Sequence, residues 1–361
     1  MWPDRTLIDL LGIELPIVQA PMAGASGSAL AIAVSEAGGL GSLPCAMLDA
    51  TTIRAEVGLF RQRTNGPINL NFFCHKMPET DLERESRWRS RLAAYYSEFN
   101  IDPAGRAPAS ARTPFDDHLC EVVETERPKV VSFHFGLPDL ALLERVKSTG
   151  CIVLSSATTV REAEWLEAHG CDAIIAQGYE AGGHRGMFLT DDIATQPGTF
   201  ALVPQVVDAV NVPVIAAGGI ADGRGIAAAF ALGAAGVQIG TAYLKTPQSL
   251  ISDLHRAALA SAADDKTSLT NLFTGRPARS LLNRVMREVG PMSDDAPAFP
   301  TAGYALAPLK VKAESLGTVD FSSLWSGQTA RVGIMGEDAG ELTLRLAADA
   351  RQRLKSMAGT G

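Results

Sequence analysis

The sequence predicts an α/β protein built on a closed TIM (β/α)8 barrel with a small helical appended domain. Three observations predict it: short, nearly all-apolar runs recur eight times, segments of helical period separate most of them, and 361 residues suffice for that fold with additions. The runs are Pro16 to Ala20, Gly39 to Leu43, Ile68 to Phe73, Val130 to Gly136, Ile152 to Ala157, Ala173 to Gly178, Val212 to Gly219 and Val237 to Leu244. Strands this apolar belong to a sheet covered on both faces, and parallel neighbours need crossover helices. Thr159 to His169 shows the intervening pattern, with Val160, Ala163, Trp165, Leu166 and Ala168 on one face and Arg161, Glu162 and Glu167 opposite. An open doubly wound sheet is the alternative arrangement of the same units.

In this reading the barrel occupies residues 1–245, interrupted by an insert at about 75–115. The insert holds Arg84, Arg87, Arg89, Arg91, Tyr95 and Tyr96, then a Pro/Ala/Ser/Arg-rich stretch from Pro103 to Pro114. It is expected as a solvated helix and loop, with a lid over the barrel mouth as the other reading. Beyond Leu244 the period turns helical, over Gln248 to Ala263 and Ser280 to Val289, which assigns a small helical domain to 246–312. Residues 313–361 form a C-terminal segment whose last helix, Asp338 to Met357, returns to the barrel.

Composition narrows the partners. The 32 Lys and Arg against 40 Asp and Glu give a net charge of -8, and there are no basic runs, so nucleic acid and anionic membranes are set aside. At 46% apolar and 20% charged residues the chain is of globular type. Met1-Trp2-Pro3-Asp4-Arg5 lacks the basic-then-apolar pattern of a secretory signal, and the most apolar region, Gly225 to Gly240, falls short of the ~20 residues that span a bilayer. A cytoplasmic protein is expected. Cys45, Cys74, Cys120, Cys151 and Cys171 form an odd set without CxxC spacing and are expected to be reduced thiols. His75, His118, His169 and His255 have no partner at metal-ligand spacing, so no metal is expected. Gly39-Leu40-Gly41 lacks the third glycine and the acidic residue of a dinucleotide fingerprint.

In a TIM barrel the loops after the strands converge on one face, and that face carries function. Cys151 and Cys171 precede their strands and so lie on the opposite face; Cys45 and Cys74 follow strands but have no His/Asp arrangement nearby. The seventh and eighth strands end in Ala216-Ala217-Gly218-Gly219-Ile220 and Gln238-Ile239-Gly240-Thr241. Glycines there let main chain approach a ligand with its N–H groups unpaired, and with the helix N-terminus after Asp222 they suit a phosphate dianion. After the sixth strand, Gln177-Gly178-Tyr179-Glu180-Ala181-Gly182-Gly183-His184-Arg185-Gly186 surrounds one histidine with glycines. That is an exposed loop built for function, in which neutral His184 takes a proton from a carbon acid or protonated His184 holds an anion. Arg185 either adds positive charge there or faces solvent.

Strand one ends in a shelf of small residues, Ala20, Pro21, Met22 and Ala23, suited to the flat face of an aromatic ring. Asn71 on strand three and Gln177 on strand six offer a donor and an acceptor each, as the edge of a flavin ring requires, or serve as structural hydrogen-bonding groups. His134, near the functional end of strand four, is either a core histidine or part of the substrate wall.

Taken in order, QAPMAG, NLNFF, SFHFG, QGYEAGGHRG, AAGGI and QIGT resemble the FMN-dependent nitronate monooxygenases, formerly 2-nitropropane dioxygenases, and most of all their first class. The similarity continues into Thr274-Gly275-Arg276-Pro277-Ala278-Arg279 and Leu324-Trp325-Ser326-Gly327-Gln328. The resemblance implies FMN at the barrel mouth, with its phosphate on Gly218, Gly219, Gln238, Ile239, Gly240 and Thr241, and with Asn71, Gln177, Gly182 and Gly183 near the ring and ribityl chain. It implies a catalytic His184, with Tyr304 and Lys310 near the entrance, and oxidation of propionate 3-nitronate or alkyl nitronates by O2 to a carbonyl compound and nitrite. An NAD(P)H-dependent FMN reductase acting on quinones or enoyl thioesters is the alternative on the same scaffold. A flavin-free phosphate-handling isomerase or lyase would need only the last two strand ends, but no lysine or carboxylate pair stands at the other strand ends to serve it.

Overall fold

The computed structural model describes residues 2–102 and 112–359. Each of the eight apolar runs meets a parallel strand: β1 (Ile17–Gln19), β2 (Gly41–Pro44), β3 (Ile68–Phe73), β4 (Val130–His134), β5 (Ile152–Ala157), β6 (Ala173–Gln177), β8 (Val214–Ala217) and β9 (Gly236–Ile239). A two-residue strand β7 (Gly183–His184) lies outside the barrel, and β10 (Thr267–Thr270) and β11 (Ala278–Leu281) follow it. The barrel strands pair with their neighbours in chain order, β9 pairs with β1, and a parallel bridge between Val18 and Leu40 closes the cylinder. The fold is a TIM barrel.

Helices wrap the strands because each has one apolar stripe, and most begin at a side chain that caps the first N–H groups. Asp49, Asp116, Asp139 and Thr159 cap the helices Ala50–Arg63, Asp117–Glu126, Leu140–Ser148 and Val160–Ala168 in this way. Their buried residues join the strand side chains in one continuous core. After β9 the chain makes only the short helix Thr241–Leu244, where the sequence suggested continued strand, and then leaves the barrel. The eighth outer position is filled by the terminal helix Ala339–Met357, which lies against the helices Ser28–Glu36 and Gly223–Ala231. Gly223 permits that approach, since a Cβ there would stand 2.5 Å from the Asp349 Cβ.

Two regions differ from the sequence reading. The insert helix Leu82–Glu98 is not solvated all round: Trp88, Leu92, Tyr95 and Tyr96 are buried against residues of the appendage. Trp88 Nε1 donates to Ala302 O at 3.0 Å, and the Tyr96 hydroxyl donates to Ala305 O at 2.6 Å. Its aromatic face, spaced over two helical turns, needed a partner that sequence alone does not reveal. Most of the stretch from Pro103 to Pro114 lies outside the described residues. The appendage also holds more than helices, for β10, β11 and β7 form an antiparallel sheet, and the run Ser280 to Val289 is half strand and half helix. Short strands paired over two to four residues leave no alternation long enough to detect.

Candidate functional site

The rim formed by β1, β8 and β9 is made of main chain. Gly218 and Gly219 have φ of 102° and 71°, a left-handed pair that side chains rarely adopt. A Cβ on Gly218 would stand 3.0 Å from Ala181 N and 3.1 Å from Gly178 O, so the strand-eight turn presses directly on the loop after β6. Gly240 lies beside the shelf, where an added Cβ would be 3.5 Å from the Ala20 Cβ and 3.8 Å from Met22 Sδ. Among the described residues, the N–H groups of Gly219, Gly240 and Thr241 donate to no backbone acceptor, and the buried Oε1 of Gln238 accepts from no donor. Ile239 O is already used by Ala20 N at 2.8 Å, which anchors the shelf of Ala20, Pro21, Met22 and Ala23 to β9. The helix end after Asp222 is not open as expected. The Asp222 carboxylate accepts from Arg224 N at 2.9 Å and Gly225 N at 3.3 Å, so those donors are taken.

The rest of the rim, from β3, β4 and from β6, which pairs with β8, is made of side chains. His184 is not on an exposed loop: with Gly183 it pairs antiparallel to Ala278 and Arg279 of β11, so the appendage grips the loop. Its ring is enclosed by Phe73, Phe135, Phe299 and Trp325, with centroids 5.4 to 6.2 Å away. Nε2 lies 3.0 Å from Thr274 Oγ1, and that hydroxyl donates onward to Arg276 O at 3.4 Å. With the hydroxyl turned toward Arg276 O, the threonine oxygen accepts from Nε2 and the lone pair falls on Nδ1. Burial holds His184 well below the ordinary imidazole range, helped by the positive charges of Arg112 and Arg276 and by His134 and His75. It is neutral at physiological pH.

His134 is a partner of this arrangement. Its Nε2 donates to His184 O at 3.2 Å, Nδ1 takes the Ser156 hydroxyl at 3.2 Å, and burial lowers it to about 3. Gln177 clamps the same loop from the other side, donating to His184 O at 3.0 Å while accepting from Gly186 N at 2.8 Å. Asn71 gives its amide nitrogen to Ser132, at 2.9 Å to Oγ and 3.2 Å to the carbonyl, leaving Oδ1 without a protein donor among the described residues. Arg185 is a structural group, not an anion holder: it is fully buried and donates to the carbonyls of Gln177 and Gly178 and to Gln196.

The two rims meet through the segment after Trp325. Gly327 N donates to Thr241 Oγ1 at 2.9 Å, and a Cβ on Gly182 would sit 2.4 Å from that same nitrogen. Tyr304 opens the helix Gly303–Ser315 and acts electrostatically on Arg112, whereas Lys310, further along, reaches toward Glu314 at 3.8 Å. Sequence reasoning missed Thr274, Arg276, Phe135, Phe299 and His75 as parts of the site. Phe135 is held at a φ of 71°, and the guanidinium of Arg276 lies over its ring at 4.1 Å. His75, lowered to about 4 mainly by burial, packs edge-on to Phe299 at 4.7 Å. Phe135, Thr274 and Arg276 lie in motifs that carry the resemblance, but no local pattern shows that residues so far apart in the chain share one site. The described residues contain no cluster fit for a metal, the five cysteines are free, and no helix is long and apolar enough to cross a membrane.

Main-chain donors without backbone acceptors at two strand ends, and a caged neutral imidazole on the loop after a third, share the C-terminal mouth of the barrel and define the class of protein: an enzyme. Comparison with known proteins narrows it. The family profile described as nitronate monooxygenase matches residues 4–348. A nitronate monooxygenase of Paraburkholderia phytofirmans is 40% identical over 98% of this chain and 97% of its own length, and one from Pseudomonas aeruginosa is 42% identical over 89% and 92%. The structure of a nitroalkane oxidase from Streptomyces ansochromogenes superposes with a TM-score of 0.87 at 39% identity, covering 98% of this chain and 99% of that one. FabK from Thermotoga maritima matches less closely, with a TM-score of 0.75 at 29% identity over 99% of each chain. The chain belongs to the nitronate monooxygenase family of oxidoreductases.

Proposed function

We propose that the protein oxidises nitronates, propionate 3-nitronate or alkyl nitronates, with O2 to a carbonyl compound and nitrite, and that it does so with FMN. The single observation that carries this reading is the neutral, aromatic-caged His184 at a barrel mouth where the N–H groups of Gly219, Gly240 and Thr241 meet no backbone acceptor among the described residues. The residues present fit FMN. Gly218, Gly219, Gly240 and Thr241 form a cradle that a side chain would fill, and the orphaned Gln238 Oε1 is an acceptor awaiting a donor such as a ring imide or ribityl hydroxyl. In this reading those residues hold the phosphate and chain. Ala20, Pro21 and Met22, with Asn71, Gln177, Gly182 and Gly183, would hold the flavin ring, and Ala23, His134 and Tyr304 would contact the substrate. When bound, the flavin supplies the electron-accepting chemistry.

The chain's own task is to orient and to manage one proton. Nδ1 of neutral His184 takes the α-proton of a nitroalkane, while Thr274 fixes the tautomer and His134 and Gln177 together hold the loop carbonyl. With a nitronate no proton need be removed, and the cage of Phe73, Phe135, Phe299 and Trp325 serves to exclude water. Purified protein is expected to be yellow and to consume O2 on addition of a nitronate. A preparation that cannot take up FMN would overturn the reading. The FabK likeness is why NADH is added anaerobically in the same experiment: rapid flavin bleaching without nitronate turnover would instead make this a reductase.

A further inference from the structure

A neutral histidine cannot counter the charge of an anionic substrate, yet the cage around it contains a fixed cation. The Arg276 guanidinium lies over the ring of Phe135, its Cζ 4.1 Å from the centroid, and Phe135 in turn packs 6.0 Å from His184 and 4.5 Å from His134. One terminal nitrogen, Nη2, donates to Met187 O; Nε is buried with no partner, and Nη1 has no protein acceptor among the described residues. Nor does Arg276 form an ion pair there. Asp191 and Glu162 act on it only through space, and both Glu162 oxygens are occupied, one by Thr158 and the other by the N–H groups of Phe188 and Leu189. A half-desolvated guanidinium without a carboxylate, among aromatic rings and neutral imidazoles, is short of one anion. The turn that carries it also carries Thr274, so one short segment places the charge and fixes the tautomer of His184.

We propose that Arg276 is the specificity-determining residue that holds the delocalised negative charge of the nitronate O–N–O group, selecting the anion over its neutral nitroalkane acid. This rests on the function proposed above. A planar fork of N–H donors matches a planar pair of oxygens, and the ring of Phe135 keeps the fork from turning away. In Arg276→Met, KM for a nitronate is expected to rise about 10- to 100-fold, whereas KM for the corresponding nitroalkane, uncharged when it binds, changes less than about threefold, its kcat falling because nitronate charge develops as the proton leaves. Arg276→Lys keeps the charge but neither the stacking nor the fork, and an intermediate rise in KM confined to the nitronate is expected. Equal changes in KM on both substrates, or none, in either variant would overturn the proposal.

Binding provides a readout independent of turnover. Nitrate, a planar anion of similar shape, is titrated calorimetrically into the wild type and both variants, with thermal midpoints confirming that each is folded. Binding to wild type that weakens at least about tenfold in Arg276→Met supports the assignment. Equal binding in both overturns it, even if the wild type proves inactive on every nitronate and the functional reading itself falls.

Discussion

The two rims of the barrel mouth solve opposite problems with opposite materials. The rim of β1, β8 and β9 offers glycine main chain whose donors meet no backbone acceptor among the described residues, whereas that of β3, β4 and β6 is a packed cage in which His134 and Gln177 both hold the loop that carries His184. Main chain is a general-purpose anion receptor and costs little to expose when no side chain stands in the way. Proton chemistry requires one group at one protonation state, so the second rim is overdetermined: His184 alone is fixed through its ring, its carbonyl and its strand pairing. What the difference teaches is that cofactor affinity and proton transfer can be damaged separately.

The sharpest break is His184→Asn. It should lower kcat on neutral nitroalkanes by about 10²- to 10⁴-fold, the range for losing a general base, yet leave flavin content unchanged by absorbance. Turnover of preformed nitronates should fall far less, and an equal fall on both would dissolve the division between the rims. Gly218→Ala attacks the other rim. Its Cβ would meet Ala181 N at 3.0 Å on a backbone with φ of 102°, at a stability cost of about 1–3 kcal/mol. Flavin should be lost on dialysis while the His184 cage, followed by Trp325 fluorescence, is retained.

Acid should loosen the caged side first. His75, His134 and His184 all have imidazoles depressed mainly by burial, His75 to about 4, His134 to about 3 and His184 well below the ordinary range, so the unfolded chain binds more protons than the folded one in acid. Stability is then fully present above the unfolded value near 6.5 and drains as pH falls toward 4, by at most about 1.4 kcal/mol per pH unit for each group. Thermal midpoints measured across pH 7 to 4 test this, and a flat profile would contradict neutral burial of the three rings. The smallest effect is expected from Trp88→Phe, which removes the hydrogen bond to Ala302 O while keeping the ring. About 1 kcal/mol should be lost in denaturant unfolding, with turnover unaltered.

The barrel was readable because its signal is local and repeated: each apolar run carries its own evidence, and all eight lie where strands form. The glycine rim was readable for the same reason, since two glycine-bearing strand ends announce themselves within five residues. The cage was not. Phe73, Phe135, Phe299 and Trp325 come from four distant segments, and only the closed barrel with its appendage brings them around one imidazole. Gln177 was legible as a polar group at a strand end, but its clamp on Gly186 N depends on the course of the next nine residues. Arg185 carried two readings, solvent or anion, and the structure chose neither, because carbonyls at a tight bend satisfy a buried guanidinium as well as a carboxylate does.

The terminal helix has a consequence for how the chain is made. Residues 339–357 complete the outer ring of a cylinder whose last stave ends at Ile239, so a ribosome must add roughly a hundred residues before the gap between the helices Ser28–Glu36 and Gly223–Ala231 can close. Until then the apolar surface awaiting Leu342, Leu346 and Ala350 faces solvent or a chaperone. A premature stop codon near 338 would spare every group at the mouth and still yield a chain prone to aggregate.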